Sequence, residues 1–67
     1  MSDPHPAVAD LLRYFEFEHL PPHLQDISRP FHALAHDMAG RLTGPQVRDG
    51  LFDLLRAKDC FVRAALG

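Results

Sequence analysis

Disulfides, a membrane span and a basic stripe are all missing from this chain. Its single cysteine, Cys60, excludes an intramolecular disulfide, and a lone thiol fits a reducing compartment. No run approaches the roughly eighteen apolar residues that a membrane span requires. The leading MSDPHPAVAD has no basic stretch followed by an apolar core, so a soluble, cytosolic protein is expected. Seven Lys and Arg stand against nine Asp and Glu, for a net charge of −2. The basic excess that drives non-specific nucleic-acid binding is therefore absent, and no DNA partner is expected. There is no strand alternation, no repeat and no low-complexity tract to compete with helices. At 67 residues the chain is one domain, and a chain this small buries only about 60% of its unfolded surface.

What is present is helical periodicity, expected as three helices over about 3–16, 22–42 and 45–66. In the first, Asp3 is a candidate cap, Pro4 and Pro6 are tolerated in a first turn, and Val8, Leu11, Leu12 and Phe15 recur at helical spacing. EFEHLPP breaks it, and Pro22 can begin the second. There Leu20, Leu24, Ile27, Phe31, Leu34, Met38 and Leu42 form a seam at steps of four, three, four, three, four and four. Pro30 removes one hydrogen bond, but the apolar phase runs through it, which predicts one bent helix. LTGP ends that helix and starts the third, with Thr43 or Gly44 as cap and Pro45 in the first helical position. The expected fold is all-α, a short N-terminal helix on an antiparallel two-helix hairpin. The third helix is apolar over an arc wider than one neighbour covers, and three short helices give a thin core, so a homo-oligomer is expected.

Lys58 is the oddity. Leu51, Leu55, Val62 and Leu66 form one stripe of the third helix, Leu54, Phe61 and Ala65 flank it, and Lys58 projects from its middle. An ammonium there either snorkels past its neighbours or meets something anionic, such as an acid of another protomer (Asp59 being one) or a ligand phosphate.

Signals for catalysis are weak. His32 and His36 lie at i, i+4, a spacing that can chelate zinc, but Ala33, Leu34 and Ala35 between them exclude HExxH and no third ligand accompanies them. His19 and His23 repeat the spacing across two prolines, which rules out one regular helix. Glu16 with Glu18, and Asp49 with Asp53, have neither a nucleophile nor a phosphate loop beside them, so no enzyme, no metal and no cofactor is expected. Phe17, in the break before the prolines, either plugs the end of the hairpin or stands available to stack on a ligand. Arg56 and Arg63, seven residues apart, share a helix edge, either solvated or suited to a phosphate.

An aromatic before the second helix, a basic residue two to three turns into it, a short turn and a closing helix ending in VRA resemble the small phage anti-CBASS sponge proteins. These share a helical hairpin with the phage sponges that act on Thoeris signals. FEFEHLPPHLQDISRPFHALAHDMA also resembles short proteins of actinobacterial phages, and the resemblance covers roughly residues 15–66. It implies a homohexamer in the host cytosol that sequesters cyclic dinucleotides in pockets between protomers, with cyclic trinucleotides at a separate site in some members, and without cleaving either. The family's stacking aromatic falls on Phe17, its basic residue on His32 and its phosphate-binding arginine on Arg63. Lys58 and Arg56 are further candidates. Phe17 and His32 replace the family's usual Tyr and Lys, which implies a weakened, pH-sensitive or lost pocket.

Overall fold

The structure, a computed structural model, describes residues 5–67. Those residues are all-helical, in three α-helices and a 3-10 turn, with no strand. The first expected helix proves shorter than its periodicity: α1 spans Pro6–Leu12, and the chain tightens into a 3-10 turn over Arg13–Phe15. Spacings of three fit both helix types, which is why Val8, Leu11, Leu12 and Phe15 did not distinguish them. The turn ends where Glu16 becomes extended, at φ −61° and ψ 142°. Asp3 and Pro4 lie outside the described residues. The cap of α1 is His5, whose Nδ1 accepts a hydrogen bond from the Ala7 N–H at 3.1 Å, and Pro6 follows it at the first helical position.

Helix α2 spans Pro22–Arg41 and continues through Pro30. Pro30 has no N–H to give the carbonyl four residues back, and neighbouring turns carry the helix across the gap. Helix α3 spans Pro45–Leu66 and begins at Gly44, whose φ of 108° suits a residue without Cβ.

Helices α2 and α3 pack against each other, and Phe31 stacks on Phe61 with centroids 5.7 Å apart. The deep core comes mostly from α1 and the 3-10 turn that follows it. Val8, Leu11, Leu12 and Phe15 are four of six residues in the buried cluster, with Ala35 from α2 and Leu51 from α3. Each such large side chain contributes about 1.5–3 kcal/mol on burial, and this packing holds a seven-residue helix that could not persist alone.

The expected seam of α2 is displaced from its buried face. Leu24 is buried, but so are Ser28 and Ala35, while Leu34 and Leu42 are 45% and 56% exposed. On about 100° per residue, the line of large apolar groups is offset by roughly 60° from the residues that are buried. Small side chains occupy the contact, and the large ones flank it.

Candidate functional site

The break between the 3-10 turn and α2 is a compact turn. The Leu20 N–H donates to the Phe17 carbonyl at 2.9 Å, and Gln25 of α2 reaches back to donate from Nε2 to the carbonyls of Leu20, at 2.7 Å, and Glu18, at 3.3 Å. These bonds fix the half-buried Phe17 beside the first half of α2.

There an aromatic and cationic cluster assembles. The Phe17 and His32 rings meet edge-on at 5.2 Å, His32 and His36 are tilted at 4.3 Å, and the Arg29 guanidinium lies over the Phe17 ring at 5.2 Å. Arg29, His32 and His36 stand at i, i+3 and i+7, so one face of α2 presents all three. Asp26 orients Arg29 through a 2.9 Å ion pair from Nη1, on side chains that are 54% and 73% exposed, where such a pair adds little stability. The pKa of His36 lies below the ordinary value of 6.5, chiefly through burial and secondarily through His32, with Glu16 acting in the opposite direction. Aromatic rings in close contact beside a guanidinium offer flat stacking surfaces together with hydrogen-bond donors, a combination suited to a base and a phosphate.

Phe17 and His32 are thus brought together. Arg29 and His36 complete the group; their spacing from His32 on the α2 wheel was the signal for them, and only the zinc-type pairing of the histidines was read from it. Among the described residues, no group of three or more His, Cys, Asp or Glu is placed to hold a metal ion.

Lys58 is held within its own chain. Its Nζ donates to the Tyr14 carbonyl at 2.9 Å and pairs with Asp59 Oδ1 at 3.0 Å, on a side chain only 12% exposed. The anionic partner expected from another protomer is the same chain's Asp59, and the ammonium also satisfies a carbonyl at the end of the 3-10 turn that has no helical donor of its own. Arg56 and Arg63 are exposed on α3, and neither forms an ion pair or cation–π contact among the described residues. Cys60 is a free, exposed thiol. No helix among the described residues is long and apolar enough to cross a membrane.

A search for similar proteins returned none: no family model matches the chain, and neither a curated protein nor a solved structure matches it.

Proposed function

We propose that the protein is a non-catalytic sponge, of the phage anti-CBASS and anti-Thoeris kind that its sequence resembles, which sequesters a cyclic di- or trinucleotide in the bacterial host cytosol. The observation that carries this reading is the Phe17 ring with the Arg29 guanidinium over it and the His32 and His36 rings alongside. A base stacking on such a group contributes about 1–3 kcal/mol, and a guanidinium can take a phosphate in bidentate fashion. Lys58, already engaged by Tyr14 and Asp59, serves to order the turn that carries Phe17. In this reading α2 and α3 form an antiparallel hairpin that assembles as a homo-oligomer, a hexamer in the family it resembles, and Arg63 reaches the pocket from a neighbouring protomer.

A specific observation favours a second reading, an oligomeric adaptor that binds only protein. Leu34, Phe61 and Leu66 are 45%, 57% and 63% exposed, and large apolar side chains left uncovered mark interaction surfaces when they are contiguous. Thermal unfolding with a panel of cyclic di- and trinucleotides decides between the two. A ligand at 100 times its dissociation constant adds about 2.7 kcal/mol, a shift that Phe17→Ala should abolish. No shift with any of the panel supports the adaptor.

A further inference from the structure

A cavity of about 580 Å³ lies between the start of α1, the last turn of α2 and the first turn of α3, a region the nucleotide reading does not use. Its size is that of a small-molecule site, which spans roughly 300–1,000 Å³. Val8, Leu42 and Val47 give it apolar walls, while His5, Arg41 and Arg48 supply its ionisable groups, with no Asp or Glu among the described lining residues.

The three basic side chains retain donors for a ligand. Arg41 gives only its Nε to Asp37, at 2.9 Å, so its terminal nitrogens have no partner among the described residues. Arg48 has its guanidinium 5.2 Å from the Phe52 ring centroid and forms no ion pair among the described residues. His5 accepts the Ala7 N–H on Nδ1, which leaves Nε2 as the ring's donor position. The C-terminal end of α2 and the N-terminal end of α3 both reach this cavity, and their opposed dipoles offset each other. Side-chain charge therefore sets the sign of the site, and it selects an anion.

We propose that this cavity binds a small amphipathic carboxylate, its apolar body against Val8, Leu42 and Val47 and its carboxylate held by Arg48 and Arg41. The test is calorimetric titration of the full chain with decanoate, decanol and decylammonium below their aggregation limits, with amide chemical shifts followed by NMR. Decanoate should saturate one site at least about tenfold more tightly than decanol, the worth of a charge-assisted hydrogen bond. The shifts should concentrate over residues 39–48. Arg48→Gln and Thr43→Glu should each weaken decanoate about tenfold and leave decanol unchanged. Thr43 is exposed in the connection, so its variant keeps the fold and tests the charge alone. Phe17→Ala should leave decanoate binding intact, which separates this site from the cluster on the middle of α2. Decylammonium binding as tightly as decanoate, shifts centred on Leu34 and Phe61, indifference to both variants, or no saturable decanoate binding would each overturn the proposal.

Discussion

Lys58 shows how a residue that violates a pattern can be explained by a contact far away in sequence. Its position within an apolar stripe was plain from spacing alone, whereas its partner, the Tyr14 carbonyl 44 residues earlier, was not, because a backbone acceptor leaves no trace in residue type. Lys58→Ala should lower stability by about 1.5–3 kcal/mol, the usual worth of a hydrogen bond from a charged donor, measured by urea denaturation; an unchanged midpoint would mean that the ammonium is merely solvated. His36 makes the other residue-scale prediction. Its folded pKa lies below 6.5, so the unfolded chain takes up that proton first as pH falls. The stability it supports is fully present above pH 6.5 and is lost as pH drops through the folded value. His36→Gln should flatten this part of the stability profile, as followed by thermal melts between pH 5 and 8. A phosphate bound beside the ring acts in the opposite direction, favouring the protonated form, so nucleotide binding should take up protons and weaken as pH rises.

At the scale of elements, the three helices were legible because proline and glycine punctuate them: Pro6, Pro22 and Pro45 each stand at a first helical position, and Gly44 caps α3. The length of α1 was not legible, since the spacing of its apolar residues is common to α and 3-10 geometry. The orientation of α2 was misjudged for a physical reason. Hydrophobic periodicity weights the largest side chains, but the buried positions include Ser28 and Ala35, which carry almost no such signal. The cluster was only half legible: Phe17 was marked by its place in the break and His32 by the resemblance, while Arg29 and His36 were signalled only by their spacing from His32 on one face of α2. Ser28 gives the test of that phase. It is fully buried and its hydroxyl has no hydrogen-bond partner among the described residues, so Ser28→Ala should stabilise the fold, by about 1 kcal/mol given the cost of an unsatisfied buried group. Ser28→Leu should destabilise it by about 1–3 kcal/mol through overpacking. If denaturation shows Leu tolerated as well as Ala, the α2 contact is looser than described.

The described residues measure 37 × 19 × 16 Å, with a radius of gyration of 12.1 Å, against about 11 Å for a compact chain of this length. They form an elongated slab, and its core is mainly the side of the α2 and α3 pair that α1 and the 3-10 turn cover. Leu34 from α2, and Phe61 and Leu66 from α3, remain 45% to 63% exposed, which is costly for a protein whose net stability is normally only about 5–15 kcal/mol. Covering those groups in a second copy is the simplest source of further stability. The mass in solution should therefore be a multiple of 7.6 kDa, and the melting temperature should rise with protein concentration, because association stabilises by mass action. Leu66→Asp and Leu34→Lys place charges on exposed positions that a free monomer can solvate, so each should lower the mass towards the monomer while leaving helical circular dichroism intact. Sedimentation measures the first effect and concentration-dependent melts the second. Should the parent chain sediment as a 7.6 kDa species at micromolar concentration with an invariant melting temperature, the apolar groups belong to the monomer's own surface and a pocket shared between protomers is excluded.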